Sequence, residues 1–426
     1  MSFLQVLTSR GVAFLALGLV TSVCGVVLGY PDLTRIGVAL TLLLVVAVVL
    51  SRRRPPSLAV ARTVSPQRLQ PNEAGTVEAT FRNVGPRRTP LYLAQEHLDV
   101  HLGDRPRFVL HPLNRGERRS LRYQVRSSSR GAYRLGPLSL RQRDPFGLTY
   151  VAVRLSSTTE VLVLPRVYDL QGTGVPAQGR GNEGERPQMV ALHGEDDVSI
   201  RTYRDGDELR RVHWPATAHR GELMVRQEDR PARRRAVLLL DSRSSAHGRA
   251  PQPSATFECA VSALASAGRA LMRQGYVVHL VSAHTVADGT AGHAMDASTL
   301  LDTLARAQRD DDLGLEAVAR AAHTFTSGGV LAVAALVDHD AQEIRHLAAV
   351  REHGSTAVAF VLDRPAFDAP PNRAARLEAP TSATGLGGPA RALDDAGWVT
   401  ARCTSEHDLP SAWMSLHRGQ VGAGPR

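Results

Sequence analysis

Two groups of residues could do chemistry in this chain: acids that end apolar runs, and a dense polar stretch ahead of the first such run. Ala236-Val237-Leu238-Leu239-Leu240 stops at Asp241, and the run Val330 to Val337 stops in the same way at Asp338. Ligands of open α/β sheets bind outside the carboxyl ends of the strands. Asp241, Asp338 and the Ser245 hydroxyl could therefore hold a hard divalent cation through oxygen ligands, leaving a position for a partner's carboxylate. Arg243 stands between them in Asp241-Ser242-Arg243-Ser244-Ser245. A fixed guanidinium repels a dication. The competing reading is that Arg243 pairs with Asp241, which then only caps a turn.

The polar stretch runs from Arg201 to Asp229 and holds Tyr203, Gly206 between Asp205 and Asp207, Arg204, Arg210, Arg211, the pair His213-Trp214, and a return leg ending in Val225-Arg226. His213 could act as a general base, but a His on a structured loop is more often a hydrogen-bonded structural residue. Its acids interleave with its arginines, which suggests ion pairing or a recognition face rather than a metal cluster. The stretch reads as a brace, with Asp207 and the Arg pairs locking it and Trp214 supplying buried area. On that reading Trp214→Ala costs about 2–5 kcal/mol.

Composition excludes several chemistries. All 51 basic residues are Arg, so neither a phosphate-binding loop ending in GK nor a Schiff-base lysine is possible. Gly179-Arg180-Gly181-Asn182-Glu183-Gly184 spells GxGxxG, but no strand leads into it and no helix follows. Neither GxSxG nor HExxH occurs. Cys24, Cys259 and Cys403 are far apart and fit a reducing compartment rather than a disulfide framework. With 5% aromatics and no Arg–aromatic cluster, nucleic acid is not an expected partner. No cofactor is expected. The net charge of +10 is read as a solvated surface, or else as complementing an anionic partner.

The elements that must position these residues follow from periodicity. Gly11 to Gly29 and Leu33 to Leu50 are apolar runs long enough to span a bilayer, joined by Tyr30-Pro31-Asp32 and followed by Arg52-Arg53-Arg54. That flank predicts a hairpin at 1–54 with both ends, and everything after it, on the cytoplasmic side of the inner membrane. Residues 58–169 alternate with period two between turn signals, as an antiparallel immunoglobulin-like β-sandwich does. Residues 170–235 are linker plus the polar stretch. From 236 to 418 strands and helices alternate, predicting a doubly wound parallel sheet; 419–426 is a tail.

An ordered series of motifs resembles the bacterial family named domain of unknown function 58. The series comprises Arg130-Gly131 with Tyr133, Leu135-Gly136-Pro137-Leu138, Asp144-Pro145-Phe146-Gly147-Leu148, and Leu164-Pro165-Arg166-Val167. It continues with Arg201, Tyr203, Gly206-Asp207, Arg210-Arg211, Val212-His213-Trp214 and Val225-Arg226. The resemblance implies a membrane-anchored chain whose last domain is von Willebrand factor A-like. It also implies work beside a MoxR-type AAA+ ATPase as a chaperone-like or assembly partner. Such domains ordinarily carry a metal-dependent adhesion motif, DxSxS with a later Thr and Asp. Here Arg243 replaces the first Ser, and Arg309-Asp310-Asp311-Asp312-Leu313 holds no Thr where one is due. Asp241, Ser245 and Asp338 remain as a degenerate metal site, and the signature residues of the polar stretch as the partner-binding candidates.

The expectation is a membrane-tethered, cytoplasm-facing interaction or assembly factor without catalysis. The alternative is a metal-assisted hydrolase, or a metal-dependent adhesion module, built on the strand-end acids. A third reading binds anionic lipid through Arg52 to Arg54 and Arg233 to Arg235.

Overall fold

The computed structural model describes residues 7–52, 57–143, 146–170, 198–203, 212–228, 234–248, 254–309, 314–326, 330–337, 341–351, 355–368 and 388–422. The chain divides into two compact units, Met1–Leu164 and Pro165–Arg426.

The first unit opens with α1 (Ser9–Val27) and α2 (Pro31–Arg52), each long and apolar enough to cross a membrane. Thr8 caps α1 by accepting a hydrogen bond from the Gly11 amide. The helices meet through small residues. Gly11, Gly18 and Gly25 form the buried stripe of α1, and a Cβ on Gly18 would stand 2.7 Å from Thr41 Oγ1 and 3.2 Å from the Gly37 carbonyl. Close backbone approach of this kind supplies packing where lipid offers no hydrophobic drive.

Nine strands follow: β1 (Leu58–Ser65), β2 (Arg68–Leu69), β3 (Ala74–Asn83), β4 (Tyr92–Leu98), β5 (Arg107–Leu110), β6 (Arg118–Arg126), β7 (Gly131–Arg143), β8 (Tyr150–Leu155) and β9 (Thr159–Val163). One sheet runs β1-β3-β6; the other runs β2-β9-β7-β4-β5, with β8 also on β7. Alternation sends Val77, Ala79 and Phe81 of β3 inward and Glu78 and Arg82 outward. The core has two lobes. Leu58, Phe81, Tyr92, Leu110 and Leu140 fill one end, and Leu69, Leu98, Leu135 and Val161 the other. The pairs are antiparallel as expected except β2 with β9, which is parallel. The chain leaves the first sheet after Ser65 and joins the edge of the second as β2, so it arrives running in the direction of β9.

In the second unit β10 (Val198–Thr202), α3 (Trp214–Arg220) and β11 (Met224–Glu228) precede a five-stranded sheet. Its elements are β12 (Arg235–Leu240), α4 (Ser244–His247), α5 (Ala255–Arg273), β13 (Val277–Val281), α6 (Ala283–Ala287), α7 (Ala297–Arg306), α8 (Leu315–Thr326), β14 (Leu331–Val337), α9 (Ala341–Ala348), β15 (Ala357–Leu362), α10 (Arg364–Asp368), α11 (Gly388–Asp395), β16 (Val399–Cys403) and α12 (Leu409–Gly422). The strand order is β13-β12-β14-β15-β16, and every pair is parallel. Leu238 and Leu240 pack on one face with residues of α5 and with Trp413 of α12. Val237 and Leu239 pack on the other with residues of α8 and α9 and with Trp398. Strands buried on both faces need the unbroken apolar runs read from the sequence. The strand expected to reach Ala283 stops at Val281, because Ser282 and Thr285 form a capping box that starts α6. The linker 171–195 lies outside the described residues.

Candidate functional site

The chain passes from β12 to β13 on one side and then crosses back to β14 on the other, so the strand order reverses at β12, and the carboxyl end of such a strand is where open α/β sheets bind ligands. Asp241 stands there, 2% exposed, beside Arg243 at 5%. Arg243 closes on it in bidentate fashion. Nε donates to Oδ1 at 2.8 Å and Nη2 to Oδ2 at 2.8 Å, and the Arg243 backbone amide donates to Oδ1 at 3.2 Å. Both carboxylate oxygens are thus engaged by a planar cation whose fork matches them. The Arg243–Asp241 pair that the motif allowed is present in this structure.

The loop beyond is held by two further guanidinium groups. Arg364 Nη1 donates to the carbonyls of Ser245 at 3.3 Å and Ala246 at 3.1 Å, and Arg309 Nη1 donates to the carbonyl of Gly248. His247 is buried, its Nδ1 3.0 Å from Thr256 Oγ1 and its ring edge-on to Phe257. Burial pushes the His247 pKa down to about 4, while the Asp241 carboxylate and backbone pull it up. Ser245 is exposed whereas Asp241 is buried, and Asp338 lies outside the described residues. Among the described residues no group of three or more His, Cys, Asp or Glu side chains could hold a metal ion. His247, Arg309 and Arg364 were not singled out from sequence. Arg364 was within reach, since it stands just past the end of a buried apolar strand, two residues beyond β15, much as Arg243 stands three residues beyond β12.

The polar stretch folds as a hairpin around a short helix. β10 pairs antiparallel with β11, setting Arg201 opposite Val225 and Ile200 opposite Arg226. The Tyr203 amide donates to Leu223 O at 2.7 Å, and the His213 amide to Met224 O at 2.8 Å. His213 is the N-cap of α3, its Nδ1 accepting from the Ala216 amide at 3.2 Å. Thr217 Oγ1 donates to the His213 carbonyl at 3.1 Å and accepts from the Met224 amide at 3.0 Å. His213 is therefore a capping residue here, in line with its structural reading. Gly221 ends the helix at φ 74, where a side chain would be strained.

The burial expected of Trp214 is corrected. The side chain is 67% exposed, and among the described residues of the stretch Val212, Met224 and Val225 are buried. Trp214 is the first residue of a seven-residue helix with no buried positions, so its ring has no packed face to enter. Gly206, Asp207, Arg210 and Arg211, and with them the ion pairs expected to lock the brace, lie outside the described residues.

In class, the chain joins a two-helix apolar hairpin and a β-sandwich in one unit to a parallel α/β sheet in the other. Residues 199–289 match the model of the family described as protein of unknown function DUF58. That match takes in the β10–β11 pair with α3, then β12, Asp241, Arg243 and α5. No curated protein matches the chain. Among solved structures, a CARDB domain from Pyrococcus furiosus in complex with di-metal ions is similar at 19% identity and TM-score 0.20, over 26% of this chain and 89% of its own. An alkylpurine DNA glycosylase of Pseudomonas fluorescens bound to DNA is similar at 10% identity and TM-score 0.17, over 30% of this chain and 40% of its own. A β-glucosidase of Listeria innocua in complex with isofagomine is similar at 14% identity and TM-score 0.16, over 25% and 16%. At such scores these similarities carry no argument about function.

Proposed function

We propose that the chain is a membrane-tethered interaction protein that holds a partner at the inner face of the membrane, with its soluble parts cytoplasmic and without catalysis of its own. The observation that carries this reading is the continuity of anchor and sandwich. Thr8, at the start of α1, donates from Oγ1 to Gly147 O at 2.7 Å, and its amide donates to Leu148 O at 2.9 Å. Leu7, Leu44, Val48 and Leu148 share one apolar cluster, and a Cβ on Gly11 would collide with the Leu148 carbonyl. A span seated this tightly on a folded domain suits a fixed platform better than a loose tether.

The parallel sheet is read as von Willebrand factor A-like, with the adhesion chemistry replaced by the Asp241–Arg243 pair. The partner is read as a MoxR-type AAA+ ATPase or its client, from the motif resemblance. The test is co-purification and light scattering of detergent-purified protein with a MoxR-type AAA+ ATPase from the same genome. A complex that forms with the full chain supports the reading; its absence with a folded, monodisperse chain overturns it.

A further inference from the structure

The chain's charge is not evenly spread. Residues 57–164 carry 17 Arg against 8 Asp and Glu, whereas from Pro165 onward 32 acids outnumber 29 Arg. The sandwich carries most of the molecule's excess positive charge, and its exposed apolar side chains are sorted as well. Among its described residues six large hydrophobic side chains are exposed: Val84, Leu91, Leu93, Val100, Val109 and Phe146.

Strand register shows where these six lie. The end of the sandwich next to the helices is marked by Leu148, which meets Thr8, and by the start of β1. Leu58 pairs with Asn83, which puts Val84 at that end. Arg143 pairs with Tyr150 across the β7–β8 turn that carries Phe146. Two positions back along β7, Arg141 pairs with Leu93, which in turn pairs with Val109. Five of the six exposed apolar side chains thus gather where the helices emerge. Val100 alone lies beyond the opposite end, past the Leu98–Leu135 pairing.

Cations accompany them. Arg82, Arg87, Arg88, Arg115, Arg118 and Arg141 are exposed at this same end, with Arg82 opposite Arg118 in register. The loops that carry them are cross-bonded. The buried Asn83 side-chain amide donates to the carbonyls of Arg87 at 2.7 Å, Leu113 at 3.1 Å and Asn114 at 3.2 Å, and its oxygen accepts from the Gly85 amide at 2.9 Å. Thr89 Oγ1 accepts from the Leu113 amide at 2.8 Å. Apolar tips ringed by Arg on a rigid base, at the mouth of an apolar hairpin, match the two sides of a bilayer interface: acyl boundary and anionic headgroup.

We propose that this end of the sandwich is itself a membrane-docking surface. Leu91, Leu93, Val109 and Phe146 enter the headgroup boundary, and Arg87, Arg88 and Arg118 engage anionic lipid. The proposal rests on α1 and α2 spanning the bilayer.

The test uses the full chain in nanodiscs of phosphatidylcholine, with and without phosphatidylglycerol. Cys259 and Cys403 are buried, so a Cys24→Ser background leaves introduced cysteines to take the nitroxide label. Labels at Leu91→Cys, Phe146→Cys, Val100→Cys and Leu17→Cys are read by oxygen and nickel collision. The expected result is an oxygen-to-nickel ratio at 91 and 146 that rises towards that at 17 and rises further with phosphatidylglycerol, while 100 stays aqueous. Arg87→Glu with Arg88→Glu should lower the ratio at 91 in the anionic discs. Aqueous values at 91 and 146 with an immersed label at 17 overturn this proposal and leave the anchor intact. An aqueous label at 17 overturns the anchor, and this proposal with it. Exclusion of both reagents together with spin–spin broadening assigns the surface to a second copy of the chain and overturns the lipid assignment.

Discussion

Among the described residues each unit buries one bidentate Arg–carboxylate pair, and the two pairs do different work. In the sandwich, Arg62 of β1 donates from Nε and Nη2 to the two oxygens of Glu96 of β4, both at 3.0 Å, and from Nη1 to Ser157 O at 3.0 Å and Oγ at 2.8 Å. Its side chain and that of Glu96 are wholly buried. The partners lie 34 residues apart and in different sheets, so the pair ties the sandwich together. In the α/β unit Arg243 and Asp241 are two residues apart. Both residues belong to the segment that leaves β12, at the carboxyl end of the strand, where open α/β sheets admit ligands. Equal geometry thus serves cohesion in one unit and closure in the other.

The sharpest way to break that comparison is to remove one cation at a time. Arg62→Met leaves Glu96 as an uncompensated buried charge and is expected to cost about 3–5 kcal/mol in urea unfolding of the detergent-solubilised chain. Arg243→Ser strands Asp241 at the carboxyl end of a strand rather than between two sheets, and is expected to cost roughly 1–3 kcal/mol. Adding Asp241→Asn should recover part of that loss. If both single substitutions cost the same, the division into cohesion and closure fails.

A smaller effect sharpens the account of the α/β crevice. Burial lowers the folded-state pKa of His247 from its ordinary value of 6.5 to about 4. As pH falls the unfolded chain takes up the proton first, so this contribution to stability is full above about pH 6.5 and is lost by about pH 4. His247→Gln is expected to flatten the pH dependence of the unfolding midpoint across that window. Smallest of all, Trp214→Ala is expected to change stability by under about 0.5 kcal/mol, since an exposed ring gives up little on truncation. A loss of several times that would restore the brace reading.

Legibility in the sequence followed how local each signal was. The apolar helices and the doubly buried strands from Ala236 to Leu240 and from Leu331 to Val337 announce themselves within a few residues, through period and composition. The Asp241–Arg243 pair was visible as one of two readings because its partners are almost adjacent. Trp214 misled because side-chain type reveals how much area a residue could bury, not whether a short helix turns it towards a core. The Arg62–Glu96 tie, the parallel β2–β9 pair and the gathering of Val84, Leu91, Leu93, Val109 and Phe146 were out of reach. Each exists only once strands distant in sequence have been set in register.

We propose that Arg243 takes the place a metal ion would hold at the end of β12, in a chain that acts by binding protein. Calorimetric titration of the detergent-solubilised full chain with Mg²⁺, Mn²⁺ and Ca²⁺ tests it most directly. The account expects no saturable heat from the wild-type chain. Tight binding that disappears in Asp241→Ala would contradict it and bring back metal-dependent chemistry at the end of β12.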